Sequence, residues 1–536
     1  MNSNHNGREA AWLLLASALI VGSLIVLQWG LKYPYANDSA GYIQEALGLL
    51  EGRGLTRGAA WDDVEHAYAA FPLFPPGFSF ATAGFVALGL SAPLAALLIS
   101  WLAWLFIAPA AAWAVRPLVG RGPARAVGLL AVASPGFAEW GFQALSDAPM
   151  TLASILSLGV LAQARNIAEP RARAWALSGL FAGLAYLFRN AGAVLPLAII
   201  ALLGLAWLAR RLSIGALLRA GAAWGAAFAL CAFPLFAYNY ATFGSIQPYF
   251  AAHGTLDYGL LNAVRVSLWS LLLDLTGWRF VADIAWNGKI LVALVSLVLF
   301  AAWRLARRHE PAFPFAGAIL LVYSLIGCAL VVWGRSRFDW VETTLTRQFI
   351  PYAWAILALG AWALHRLAGR HLRALGWGAI VFLIAGRALG IAQEYARESA
   401  IRDAVHQSSY VETARAHPDW VLTPRIKLDV AADRALIALL RELPPDAYIV
   451  SNQGALLSVA SGRVVRTTSL DAADLMALNA LRPQLGGRVQ VLVALPSNTR
   501  LHQADAAHWQ REALDALGHG AHVLHRSPRA LVVRLP

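Results

Sequence analysis

The sequence predicts an α-helical polytopic membrane protein, with about 11 transmembrane helices and further helices lying along the outer face, followed by a small C-terminal α/β extracytoplasmic domain. Three observations carry this. Of the 536 residues, 59% are hydrophobic and 14% charged, whereas soluble domains run near 25% charged. Long apolar runs recur to about residue 392 and then stop. The residues after 393, roughly a quarter of the chain, hold 14 of the 30 acids. The expected division is a membrane domain over 1–393 and an extracytoplasmic domain over 394–536.

The expected spans are 11–31, 93–115, 124–140, 148–164, 174–189, 191–209, 220–240, 289–303, 313–333, 349–365 and 374–392. The first lacks a small-residue cleavage site and reads as a retained helix. Five short loops carry three arginines each: Arg116/Arg121/Arg125, Arg165/Arg171/Arg173, Arg210/Arg211/Arg219, Arg304/Arg307/Arg308 and Arg366/Arg370/Arg373. Positive loops stay cytoplasmic. Parity then makes the apolar stretches 76–90 and 260–277 surface-lying rather than spanning. The N-terminus lies inside and the C-terminal domain outside, which suits a multi-pass protein of the cytoplasmic (inner) membrane.

The same sorting explains the net charge of +13. Most of the excess is the loop arginines and Arg8, a topology signal, so nucleic acid is not an expected partner; the lipid bilayer is. Cys231 and Cys328 sit in apolar runs and offer no disulfide framework or zinc site.

Acids concentrate on the outer face. The first outer loop carries Tyr35-Ala36-Asn37-Asp38-Ser39-Ala40-Gly41-Tyr42, then the knot Trp61-Asp62-Asp63-Val64-Glu65-His66, then Phe74-Pro75-Pro76. The second carries Ser146-Asp147-Ala148-Pro149. Arg189 lies between two spans, and Arg347 ends a late loop, four residues before Pro351. Each has a plain reading. Asp38 and Asp147 suit helix N-caps, the arginines suit snorkelling, and the knot suits a solvated loop. Together they read differently. Two acids and two arginines from four loops, at the edge of an apolar body, suggest one polar site. Carboxylates serve as a general base or bind a divalent cation. Guanidinium forks suit phosphate. A substrate that is half lipid and half phosphate fits such a site.

The order of these motifs resembles the integral-membrane glycosyltransferases of the C superfamily, including protein O-mannosyltransferases and bacterial aminoarabinose transferases. The residues that carry the resemblance are Asp38 with Tyr42 and Ala46, Pro75-Pro76, Ser146-Asp147-Ala148-Pro149, and Arg347 before Pro351. It implies an inverting transfer of a hexose or pentose. The donor is a polyprenyl-phosphate or diphosphate sugar, and the acceptor a hydroxyl on a glycan, lipid or protein. It further implies Asp38 as general base, Asp147 as the group that positions the acceptor or holds a metal where one is used, and Arg347 with Arg189 at the donor phosphate. Asn37 and Ser39 flank Asp38, so no acid pair stands there to hold a metal. Asp62, Asp63, Glu65 and His66 are the substitutes if a divalent cation, Mg or Mn, is used. The loop 241–287, with His253, Asp257, Trp269, Asp274, Trp278 and Arg279, has two readings, a cover over the site or plain loop packing.

Beyond residue 397 short strands alternate with helices: helices near 431–441, 455–460, 470–481 and 506–517, strands near 448–450, 463–466, 489–494, 522–525 and 531–533. That is a small α/β pattern. Seven of the 13 histidines lie here without metal-ligand spacing. Two other functions stand against the transferase: a transporter or flippase, which calls for midplane ionisable groups and internal repeats, and a non-catalytic scaffold, for which Asp38 is dispensable.

Overall fold

The computed structural model describes residues 3–71, 74–250, 259–279, 314–337, 346–367, 373–417, 422–468, 472–485, 488–496, 510, 514, 521–527 and 529–535. The expected span 289–303, the Arg304/Arg307/Arg308 loop, Arg370, His253, Asp257, His502, His508, His519 and most of the expected helix 506–517 lie outside them.

The chain begins with α1 (Ser3–Gln28) and α2 (Asn37–Leu50), then a short antiparallel hairpin, β1 (Thr56–Gly58) with β2 (Tyr68–Ala70). Helices α3 (Gly77–Ala87), α4 (Ala92–Val119), α5 (Arg121–Val132), α6 (Pro135–Trp140), α7 (Asp147–Ala162), α8 (Ala172–Phe188), α9 (Val194–Leu208), α10 (Ile214–Phe243) and α11 (Leu260–Thr276) follow. Then come α12 (Phe315–Arg337), α13 (Ile350–Leu367) and α14 (Arg373–Gln407). Six described helices are long and apolar enough to cross a membrane: Gly7–Gln28, Ala92–Val119, Asn190–Leu208, Ile214–Phe243, Phe315–Arg337 and Gly378–Gln407.

One expected span is broken. Residues 124–140 form two helices because Ser134 starts a new one: its hydroxyl accepts from Phe137 N–H at 3.1 Å, with Pro135 next. Proline there loses no useful donor. The expected surface stretches 76–90 and 260–277 are helices of 11 and 17 residues.

The main core is apolar and rich in small residues, with Trp104, Ile107, Ala111 and Val115 of α4 packed among α5, α7 and α13. Small side chains let helix backbones approach closely. Gly128 is one example: a Cβ there would meet the Ala108 carbonyl oxygen at 2.4 Å. Arg125 of α5 pairs with Glu9 of α1 at 2.9 Å, joining two charges that the arginine pattern assigns to the cytoplasmic side.

Beyond α14 lie α15 (Tyr410–Ala416), α16 (Thr423–Ala431), α17 (Arg434–Glu442), β3 (Tyr448–Ser451), α18 (Gly454–Ser461), β4 (Val465–Thr467), α19 (Ala472–Leu481), β5 (Gln490–Ala494), β6 (His522–Ser527) and β7 (Ala530–Arg534). The strands form one mixed sheet in the order β4-β3-β5-β7-β6. β3 is parallel to β4 and β5, and β6–β7 is the antiparallel hairpin expected through Ser527-Pro528. The central strands are buried throughout, which is why they read as continuous apolar runs.

Candidate active site

The site is assembled at the entry to α2. Pro34 and Ser39 tie this entry to the second outer loop: Ala144 N–H donates to the Pro34 carbonyl at 3.0 Å, and the Ser39 hydroxyl donates to the Ala144 carbonyl at 2.8 Å. Ser100 of α4 fixes the next residue, bonding both the Leu145 carbonyl and its N–H. Tyr42, one turn after Asp38, is buried between Phe74 and Phe78, and its hydroxyl meets Ser146 Oγ at 2.8 Å. Asp38 and Asp147 are therefore held near each other by five bonds that involve neither carboxylate.

Arg347 closes the arrangement. It lies in the one-turn helix Thr346–Phe349, anchored by buried Phe349 and Ile350. Its Nη2 donates to Asp38 Oδ2 at 2.8 Å and its Nε to Asp147 Oδ2 at 2.9 Å. Arg189, in extended backbone just after α8, adds a bond to Asp147 Oδ2 at 3.2 Å. Four ionisable side chains from four loops thus make one ion-paired cluster. It is not closed: the Asp38 side chain keeps 28% of its exposure, against 6% for Asp147 and 10% for Arg347.

Neither acid is a side-chain N-cap. Asp38 lies in the first turn of α2, where Ser39 Oγ accepts from Ala36 N–H instead, and Asp147 begins α7 after Ser146. Both carboxylates are spent on arginine. Burial pushes the Asp38 carboxyl up, but the guanidiniums of Arg347 and Arg189 more than offset this and hold it below the usual carboxylate range. For Arg347, burial works against the charge, while Asp147 and Asp38 more than restore it. The pairing thus favours the ionised form of Asp38, which stays partly exposed.

The acidic knot goes elsewhere. Asp63 accepts from the backbone N–H of His66 at 3.0 Å and pairs with its ring at 3.1 Å. The knot then docks on the C-terminal sheet: Tyr448 Oη donates to the Trp61 carbonyl, Arg466 to that of His66 at 2.7 Å, and Arg488 to that of Val64 at 3.2 Å. These contacts of Asp63, His66 and the knot's backbone lead away from Asp38 and Asp147. Among the described residues no group of three or more His, Cys, Asp or Glu is placed to hold a metal ion. Arg347 occupies the position between the two carboxylates that a cation would take. The arrangement does not fit a resident Mg or Mn, and no step below uses one.

Sequence reasoning missed several neighbours. Lys427 of α16 reaches Asn37 Oδ1 at 3.0 Å, so the C-terminal domain touches the residue before Asp38. Thr346 donates to Glu139 Oε2 at 3.3 Å. Of the loop 241–287, Tyr249 stands within electrostatic reach of Arg189, Asp38 and Arg347. Asp274 instead turns inward, accepting from Gly136 N–H at 2.6 Å. Lys427 and Tyr249 carried no sequence signal beyond residue type.

Similarity to known proteins follows the same lines. Residues 74–238 match the family model of dolichyl-phosphate-mannose-protein mannosyltransferases. ArnT from Cupriavidus metallidurans, solved bound to undecaprenyl phosphate, superposes with a TM-score of 0.60 over 98% of this chain and 98% of its own, at 16% identity. The chain shares the fold of ArnT. That fold extends to the archaeal oligosaccharyltransferase AglB from Archaeoglobus fulgidus, solved with an inhibitory peptide and a dolichol-phosphate (TM-score 0.56, 98% of this chain and 74% of that one, 14% identity). A structure of the Archaeoglobus fulgidus oligosaccharyltransferase with Zn and sulfate gives 0.55 over 90% and 68%, at 15% identity. No curated protein matches the chain. The resemblance drawn from Asp38, Pro75-Pro76, Asp147 and Arg347 is thus borne out at the level of fold.

Proposed function

We propose that this chain is an inverting membrane glycosyltransferase, moving a hexose or pentose from a polyprenyl-phosphate or diphosphate carrier to an acceptor hydroxyl at the outer face of the cytoplasmic membrane. The observation that carries the reading is the cluster of Asp38, Asp147, Arg347 and Arg189, brought together from four loops at helix ends. The lipid phosphates bound by ArnT and AglB support the carrier class.

In this reading Asp38 takes the acceptor's proton as its oxygen attacks the anomeric carbon. The bond from that carbon to the phosphate oxygen breaks on the opposite side, and its electron pair leaves with the lipid phosphate. Asp147 fixes Arg347 and lines the acceptor side. The guanidiniums face the charge that grows on the leaving group, where preorganised donors count most. The domain division is 1–393 for the membrane transferase and 394–536 for an extracytoplasmic domain that borders the acceptor entrance through Lys427.

The test is transfer by the full chain in proteoliposomes. A radiolabelled polyprenyl-phosphate sugar is expected to lose its label to an acceptor, and a nucleotide sugar is not. Deletion in the native host is expected to leave an accumulating polyprenyl-linked sugar. Turnover of a nucleotide sugar alone contradicts the proposal.

A further inference from the structure

Arg57 stands apart from the ion-paired cluster. It lies on β1, and its guanidinium stacks on the Phe71 ring. It also lies against α2 at Gly41. A Cβ built at Gly41 would come 3.0 Å from Phe74 Cε2 and 3.7 Å from Arg57 Nη1, so the missing side chain lets ring and guanidinium approach the helix. Asp38, Gly41 with Tyr42, and Glu45 follow helical spacing and share one face of α2. Arg57 is thereby set beside that face, between two carboxylates.

Neither carboxylate is bonded to it. Asp38 and Glu45 reach it electrostatically. Yet the Arg57 side chain has no hydrogen bond or ion pair among the described residues, only the Phe71 ring. Glu45 is buried and takes its hydrogen bond from the Ser79 hydroxyl at 2.7 Å. Burial raises Glu45 to about 7, partly opposed by Ser79 and Arg57. Burial lowers Arg57 to about 9, against the pull of Glu45 and Asp38. A half-buried guanidinium with five donors and no acceptor is costly until an anion arrives. Arg347 differs: two of its nitrogens are already committed to Asp38 and Asp147.

We propose that Arg57 is the cation that receives the phosphate of the lipid-linked donor in the ground state, while Arg347 orients the two carboxylates beside it and meets the phosphate's charge only as that charge grows in the reaction. This rests on the transferase reading above. Its fork accepts two phosphate oxygens, and the aromatic pair Phe71 and Phe74 holds the guanidinium flat against α2.

The experiment is equilibrium binding to the full chain in nanodiscs, with undecaprenyl phosphate, undecaprenol and inorganic phosphate as probes. The wild-type chain is expected to prefer the phosphate lipid to the alcohol. Arg57→Gln is expected to weaken phosphate-lipid binding about ten- to hundredfold, the range of a lost charged hydrogen-bond pair, and to leave undecaprenol binding unchanged. Arg57→Lys keeps the charge and is expected to fall between. Equal thermal unfolding of the two variants separates this from misfolding. Displacement of the lipid by equimolar inorganic phosphate overturns the donor assignment, because the site then takes free phosphate. Unchanged preference in Arg57→Gln, or its loss in Arg347→Ala alone, overturns the role of Arg57 and leaves the transferase reading standing. No preference in the wild-type chain overturns both.

Discussion

Two of the buried arginine–carboxylate groupings among the described residues are built differently. At the entry to α2, Arg347 bonds both Asp38 and Asp147 side chain to side chain, and Asp38 stays partly open. Between α11 and α14, Arg387 and Asp274 are 2% and 0% exposed. They are in electrostatic reach of each other, yet each bonds backbone: Arg387 Nη2 donates to the Leu275 carbonyl at 2.9 Å, and Asp274 Oδ1 accepts from Gly136 N–H at 2.6 Å. Asp274 Oδ2 and Arg387 Nε and Nη1 have no hydrogen-bond partner in the described structure. The first grouping offers charge to a visitor. The second staples three elements, α6, α11 and α14, and has no open face. The same residue types therefore divide into a site and a fastening by exposure and by what they bond, which residue type alone does not reveal.

The largest effect that would break this contrast is at Arg347. Arg347→Ala leaves two carboxylates side by side, and transfer is expected to fall about a hundred- to a thousandfold, as for loss of a preorganised donor. A proteoliposome transfer assay on correctly folded variant reads it. Arg387→Met should do the reverse, costing about 3–5 kcal/mol of stability by stranding a buried carboxylate, with transfer per folded molecule near wild type. Adding Asp274→Asn, which keeps an acceptor for Gly136 N–H, should recover much of the thermal stability. No recovery would show that the two charges do not act as a pair.

Smaller effects sharpen the picture of the open grouping. Tyr42→Phe removes the bond to Ser146 and is expected to cost about 0.5–1.5 kcal/mol, with a drop in transfer from a less well held Asp38. The pH profile of transfer gives the smallest signal. Asp38 is held below its usual value, so its ionised form, and the stability that its pairing adds, persists above the ordinary carboxylate pKa of about 3.9 and is lost only as pH falls through the lower folded value. The acid limb assigned to Asp38 should lie below about pH 4, and a limb near 6 would assign the base to another group.

How much was legible in the sequence follows from the same two groupings. Asp38 and Arg347 are 309 positions apart, yet reading the arginine loops as cytoplasmic put both on one face, and the two side chains do meet. The motif order then named the acids and the arginine. Distances were not legible. Nothing in the spacing says that Ser39 and Tyr42 bind the second loop, or that the 61–66 knot leaves the site for the sheet edge at Tyr448 and Arg466. The break at Ser134-Pro135 was hidden by continuous hydropathy on both sides. Arg57 and Lys427 carry no motif, and only the fold sets them near Asp38 and Asn37.

The most direct measurement is transfer from a radiolabelled polyprenyl-phosphate sugar by Asp38→Asn, with donor binding measured in the same nanodiscs. The substitution keeps the size and an acceptor for Arg347 but removes the base. The account predicts a loss of transfer of about a hundred- to ten-thousandfold, the range for a general base, with donor binding retained. Transfer at the wild-type rate in a folded Asp38→Asn chain would contradict it.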